Sequence, residues 1–261
     1  MISLSGKTAL VTGASRGIGQ LIALGLAEQG CNLVVHASKQ DNLHRVIEQA
    51  RPYGVEVTGI AADLADPQQV LNMLDQLEAD NRAIDVLYNN AGLQVAYRED
   101  FWATPIDDFI TSFQVNCIAA AMICYRLIPP MIERRFGRVI NVTSGIQDEP
   151  EQAGYSASKA ALNQVTRDLG SRLEGSNVLI NLADPGWCRT ELGGPRAPFA
   201  PESALPGMLV GAFVSDGRSG RTFRAQNYQG LGLHQAVISA ELRHFGPKIP
   251  APIQRTATEV V

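Results

Sequence analysis

The stretch "TALVTGASRGIG", Thr8–Gly19, decides the fold. Thr8–Val11 reads as a buried strand that ends at Gly13. Ile18, Leu21, Ile22 and Leu26 then recur at helical spacing until Gly30, a natural C-terminal stop. Strand, glycine turn and helix repeat outward from there. Leu33–His36, Val55–Ala62, Asp85–Tyr88, Gly137–Val142 and Val178–Ala183 read as further strands, with a short seventh near Arg221–Ala225. Leu43, Val46, Ile47 and Ala50 mark a second helix. Asp66–Pro67 opens a third by cap and first-turn chemistry, and Val70, Leu71, Leu74 and Leu77 follow in it. Thr104–Pro105 opens a long helix that should stop before Pro129–Pro130. This order predicts an α/β fold, a doubly wound parallel sheet with helices on both faces. Such sheets bind ligands at the carboxyl ends of their strands.

The bulk composition narrows the possibilities. The chain has 261 residues, 45% of them hydrophobic, enough for one large core. Charged residues make up 18% and the formal net charge is −4, with none of the basic stripe a nucleic-acid binder would show. The cysteines, Cys31, Cys117, Cys124 and Cys188, form no CxxC pair, which suggests a reduced, cytoplasmic protein. The N-terminus does not read as a signal peptide, and the longest apolar run, Cys117–Cys124, is too short to cross a membrane. The histidines lack metal-ligand spacing, so no metal is expected. A single domain should occupy residues 1–245, and the Pro-rich stretch 246–261 reads as an extended tail.

The glycines at 13, 17 and 19 let the backbone turn sharply and approach a phosphate, and the next helix offers free N–H groups to an anion. Gly13, Ser15, Arg16, Gly17, Ile18 and Gly19 are therefore candidate dinucleotide ligands. The fingerprint usually places an acid about 20 residues on, gripping the ribose. Here no acid stands at Ala37 or Ser38; Lys39 follows, and Arg16 sits in the loop. A cation pair without a competing carboxylate suits a 2′-phosphate, which favours NADPH (NADP) over NADH, with NAD as the alternative. The plain alternative is that Arg16 and Lys39 are solvated surface charges.

With this loop, "NNAG" at Asn89–Gly92 and "YSASK" at Tyr155–Lys159, the chain resembles the short-chain dehydrogenase/reductase family over about Leu4 to Thr190. "DPGWCRTELGG" looks most like a carbonyl-reductase-like subgroup. The resemblance implies a single-domain Rossmann-type fold. It makes Asp63 and Leu64 the adenine contact, and Asn90, Ala91 and Gly92 the loop along the adenosine ribose. It makes Asn116 the residue that bends the long helix and holds a relay water, and Ser144 the catalytic serine. Pro185, Gly186 and Thr190 would brace the nicotinamide. It also implies a substrate lid at about 190–212 and a homodimer or homotetramer seamed along the long helix and the YxxxK helix. The plain alternatives are that Asp63 caps a turn, that Asn116 is a satisfied buried amide, and that Thr143 supplies the hydroxyl instead of Ser144.

Tyr155 and Lys159 stand one helical turn apart and should point together at the cofactor cleft. An ammonium about 5 Å from a phenol, at an effective dielectric of ~20, favours phenolate by ~3 kcal/mol. That would lower the tyrosine by about two pKa units and make it a usable general acid–base. Ser156, Ala157 and Ser158 are small, leaving room for the nicotinamide and ribose against the helix. Asp148, Glu149 and Glu151 should line one wall of the substrate mouth and disfavour an anionic substrate unless they face solvent. Trp187 either faces substrate or packs, with packing favoured; Cys188 has no base to make it a nucleophile. The expected activity is NADPH-dependent reduction of a small-molecule ketone or aldehyde carbonyl, with Tyr155 as general acid. The alternatives are an NAD-dependent alcohol or sugar dehydrogenase working oxidatively, and a non-catalytic cofactor-binding regulator.

Overall fold

The computed structural model describes residues 1–243, so the proposed tail at 246–261 lies outside the described residues. The elements are β1 (Thr8–Val11), α1 (Gly17–Glu28), β2 (Asn32–Ala37), α2 (His44–Ala50), β3 (Val57–Ala61), α3 (Pro67–Ala79) and β4 (Val86–Asn89). They continue with α4 (Ile106–Phe113), α5 (Ala119–Glu133), β5 (Gly137–Val142), α6 (Ala153–Gly170), β6 (Val178–Asp184), α7 (Val210–Phe213), β7 (Thr222–Arg224) and α8 (Leu233–Arg243). The strands form one seven-stranded sheet in the order β3-β2-β1-β4-β5-β6-β7, and every pairing is parallel. The chain winds outward from β1 in one direction, then returns to β4 and winds in the other. All carboxyl ends therefore share one edge, and the crevice opens between β1 and β4.

Two apolar layers hold the sheet. On one side Ile22 and Leu26 of α1, Val46 of α2, Phe213 of α7 and Val237 of α8 pack over Val11, Val35 and Phe223. On the other, Val70, Leu74 and Leu77 of α3 and Ile123, Cys124 and Met131 of α5 pack over Leu10, Leu87 and Ile180. Every residue of β5 and β6 is buried, as covered parallel strands are, and their polar side chains Arg138, Asn141 and Asn181 are hydrogen-bonded inside. Asp66 caps α3 as its sequence implied, accepting from the backbone N–H groups of Gln68 and Gln69.

The long helix departs from expectation. It does not stop before Pro129–Pro130 but runs through both to Glu133. A proline deprives the carbonyl four residues earlier of its donor. Here those carbonyls belong to Tyr125 and Arg126, both on the exposed side, where water can replace the lost bonds. Leu127, Ile128 and Met131 stay in the core and carry the helix past the break. With its π-turn, Gln114–Ile118, the helix spans Ile106–Glu133 and is long and apolar enough to cross a membrane by length and composition. Its inward side is part of the core of this domain.

Candidate active site

The crevice between β1 and β4 is built by hydrogen bonds between two loops. Thr12 Oγ1 accepts from the N–H groups of Asn90 (2.9 Å) and Ala91 (3.0 Å) and donates to Tyr88 O (3.2 Å). Asn90 Nδ2 donates back to Thr12 O (2.9 Å) and Gly13 O (3.2 Å). The close approach demands glycine at two points. Gly13 has φ +63°, and a Cβ there would stand 2.8 Å from Ala91 Cα. A Cβ on Gly19 would fall 2.2 Å from Gly13 O. The first turn of α1 carries no acidic residue, and its N-cap, Arg16, makes no side-chain cap. Its N–H groups are thus left for an anion, and the cradle fits a dinucleotide phosphate. Ser15 and Ile18 lie in this loop.

His36, which sequence reasoning passed over, supports the loop from below. The Gly13 N–H donates to His36 Nδ1 (3.3 Å), which assigns the proton to Nε2 for donation to Ala62 O (3.0 Å). Burial pushes its pKa down to about 4, so the ring is neutral. Only its lone polar position inside an apolar strand could have flagged it.

Ser38 and Lys39 stand exposed beyond the end of β2. Arg16 is not free of carboxylates as expected: its Nε lies 3.0 Å from Glu191 Oε2, both side chains being largely exposed. Asp63 Oδ1 caps a local turn by accepting from Ala65 N (2.9 Å), while its neighbour Leu64 is buried.

Asn116 sits in the π-turn and joins the NNAG loop to α6. Its Oδ1 accepts from Leu93 N (2.8 Å), and its Nδ2 donates to Leu93 O (2.8 Å) and Ser158 Oγ (3.0 Å). Ser158 in turn donates to Tyr155 O (2.7 Å). Both amide donors are therefore committed within the protein.

At the end of β5, Ser144 accepts from Ile146 N (3.2 Å), and its hydroxyl stands near enough to the Tyr155 phenol to favour its ionised form. The alternative hydroxyl, Thr143, is turned away and donates to Asn163 Oδ1 (2.6 Å). Tyr155 and Lys159 share the inward face of α6, with Lys159 Nζ 5.9 Å from the phenol ring centre. Lys159 donates to Val142 O (2.9 Å), and burial lowers its pKa to about 8.

The expected acidification of Tyr155 is not found in the protein alone. Burial raises the phenol above its ordinary range, the Ser144 hydroxyl opposes this, and the Asp184 carboxylate adds to it. Desolvation leads because the phenol is sealed from water, and Lys159 makes its hydrogen bond to Val142 O rather than to the phenol. The small residues between them also differ from expectation. At 100° per residue Ser156 and Ala157 point away from Tyr155, and with Ala153 and Ala160 they line a separate outer groove of about 370 Å³. Ser158 is fully buried.

Asp148 and Glu149 border that outer groove and are exposed, which is the condition under which they would not repel an anionic substrate. Pro185 O accepts from Gln226 Nε2 (2.9 Å), and Gly186 N donates to Asp184 Oδ1 (2.9 Å). Thr190 packs on the glycine loop, its Cγ2 3.3 Å from where a Gly17 Cβ would stand. Trp187 is 54% exposed and held by its indole N–H on Gly193 O (2.7 Å), so it does not pack into the core. The Cys188 thiol donates to Pro185 O (3.3 Å), and burial raises its pKa, leaving it inert. Ala204, Met208, Leu209 and Val210 are buried, so the second half of the expected lid is core.

Asp184 was also missed. It ends β6 opposite Arg224 of β7 and, with Gly145, Gln147, Gly186, Phe199, Gln226 and Asn227, lines a cavity of about 340 Å³. The signal available was an acid placed directly before Pro-Gly at a strand end.

A glycine cradle for a dinucleotide, with a hydroxyl, a phenol and an ammonium along the same sheet edge, defines an NAD(P)-dependent oxidoreductase. Comparison with known proteins agrees. The family model for short chain dehydrogenases matches residues 7–199. A 3-oxoacyl-(acyl-carrier-protein) reductase of Staphylococcus epidermidis is 36% identical over 194 residues, 71% of this chain and 77% of its own. A short-chain type dehydrogenase/reductase of Picea abies is 33% identical over 198 residues, 72% of this chain and 73% of its own. A metagenomic short-chain oxidoreductase solved in complex with NADP superposes with TM-score 0.66 at 31% identity, covering 70% of this chain and 84% of that one. A 3-oxoacyl (acyl-carrier-protein) reductase from Agrobacterium tumefaciens with NADP bound gives 0.69 at 28% identity, covering 92% and 87%. The chain belongs to the short chain dehydrogenase family.

Proposed function

We propose that the protein reduces a ketone or aldehyde carbonyl to an alcohol with NADPH. The observation that carries this reading is the buried Tyr155 phenol, beside Ser144 and one turn from Lys159, next to the glycine cradle. A phenol held above its ordinary range stays protonated at neutral pH, the form a general acid needs for reduction. Two of the relatives named above are reductases of a carbonyl carried on a protein, which agrees in reaction type.

Gly13, Ser15, Gly17, Ile18 and Gly19 would hold the dinucleotide phosphates, and Arg16, Ser38 and Lys39 the 2′-phosphate. Asp63 and Leu64 would meet the adenine, and Asn90, Ala91 and Gly92 its ribose. Pro185, Gly186 and Thr190 would brace the nicotinamide. When bound, the cofactor supplies the hydride. Ser144 donates a hydrogen bond to the substrate oxygen, and Tyr155 hands that oxygen a proton. Lys159 presents its ammonium to the ribose and the phenol. Asn116, with its side chain committed on both sides, acts by holding α6 against the NNAG loop. The segment from 190 to 203 would close over substrate. The four free thiols suit a reducing cytoplasm.

Tyr155→Phe tests the reading. It should lower turnover about 100- to 10,000-fold while NADPH affinity, followed by nicotinamide fluorescence, holds within about twofold. Retained turnover would refute the role of the phenol.

A further inference from the structure

We infer that Asp184 is a substrate-recognition residue and that the carbonyl compound taken by this site carries free hydroxyl groups near its reacting carbon. This rests on the carbonyl-reductase reading above and names the substrate class for that site.

Asp184 is 9% exposed, yet only half of its carboxylate is satisfied by the protein. Oδ1 accepts from Gly186 N (2.9 Å), while Oδ2 accepts no hydrogen bond among the described residues. Oδ2 stands 3.1 Å from the position a Cβ on residue 145 would take. Glycine at 145 is what keeps this oxygen open. The cavity it lines lies at the ends of β5, β6 and β7, directly after Ser144, and the Asp184 charge is felt at Tyr155.

An oxygen open to the cavity and without a protein donor is met by water, and the ligand that replaces this water without loss brings a donor of its own. A hydroxyl does so. The methylenes of an acyl chain do not, and a ligand carboxylate cannot donate to Oδ2 even with the Arg224 cation in the same cavity. The remaining walls agree: Gln147 and Asn227 offer amides that both donate and accept, Arg224 offers donors, and Phe199 supplies the one ring, while Gln226 spends its amide on Pro185 O and Ser203. At about 340 Å³ the cavity sits at the small end of ligand pockets, which run from about 300 to 1,000 Å³. The set fits a small hydroxylated ketone or aldehyde.

The test uses full-length enzyme, NADPH and matched carbonyls of equal chain length: butanone against 3-hydroxybutanone and erythrulose. Wild type should favour the hydroxylated compounds in kcat/KM by at least about tenfold, the range of one hydrogen bond to a charged group. Asp184→Asn keeps an acceptor for Gly186 N but removes the charge; it should cut that preference about tenfold. Gly145→Ala leaves Asp184 in place and crowds Oδ2, and should cut the preference likewise, so a folding defect in the first variant does not decide the matter. A wild-type preference for butanone, or a preference surviving both substitutions, overturns the assignment and leaves carbonyl reduction standing. NADPH binding without turnover of any of the three overturns both.

Discussion

Tyr155 and Lys159 were legible because their relation is local: four residues on a helix share a face whatever surrounds them. What the spacing could not carry was their solvation, and burial reversed the expected shift on the phenol. The same burial makes a prediction for Lys159. With its pKa near 8, the ammonium is present at neutral pH and is lost as pH rises through that value. In the reductive direction kcat/KM should be flat below pH 7 and fall on an alkaline limb near 8, since this parameter reports the free enzyme. Lys159→Arg, which stays charged, should remove the limb at the expense of rate. His36 gives a prediction about stability. Its folded pKa, about 4, lies below the ordinary value of 6.5, so the unfolded chain takes up the proton first. The contribution is complete above pH 6.5 and is lost as pH falls from there towards 4, reaching ~3 kcal/mol. Urea unfolding at pH 7 and pH 5 should show the loss, and His36→Gln should be nearly level over that range.

At the level of elements, strand ends and caps were readable and long-range pairings were not. Gly137–Val142 was bounded correctly because an apolar run between turn signals contains its own limits. Pro129–Pro130 misled because the rule against proline within a helix assumes that the freed carbonyls are buried, and here they face solvent. Asp184 became visible only through the β6–β7 register that sets it opposite Arg224. Glu191 is a similar case. It lies far from Arg16 in sequence, yet the segment after β6 folds onto the glycine loop and brings them to 3.0 Å. Arg16 must leave this partner to meet a 2′-phosphate. Glu191→Gln should therefore tighten NADPH about two- to fivefold, the range of an exposed ion pair, and leave NADH unchanged. The gain should shrink at high salt, where such pairs are screened. Equal gains for both cofactors in fluorescence titrations would show that Arg16 does not discriminate between them.

On the scale of the whole molecule, the parallel order places every candidate group on one edge of the sheet, and the opposite demand falls on the long helix. Its inward side closes the core, but Ile106, Ile110, Ile118 and Tyr125 are 70%, 59%, 44% and 67% exposed. They recur at helical spacing along the outer side. Beside them α6 presents Ala153, Ala157 and Ala160, small residues that permit close approach. Gly154 holds the two helices together, since a Cβ there would meet Asp108 O at 2.8 Å. A continuous apolar face of this kind is seldom left to water. We expect a second copy of the chain to cover it, since a two-fold axis would set each stripe against its own image. Light scattering at micromolar concentration should give a dimer or tetramer for the wild type. Ile110→Glu together with Tyr125→Glu should give a monomer with an unchanged circular dichroism spectrum, since neither side chain reaches the core. The paired variant should also lose activity in part, because Tyr155 and Lys159 stand on the inner face of the same α6 that the partner would brace. A monomeric wild type, or a variant that associates as before, would move the interface elsewhere on the surface and leave the stripe without a partner.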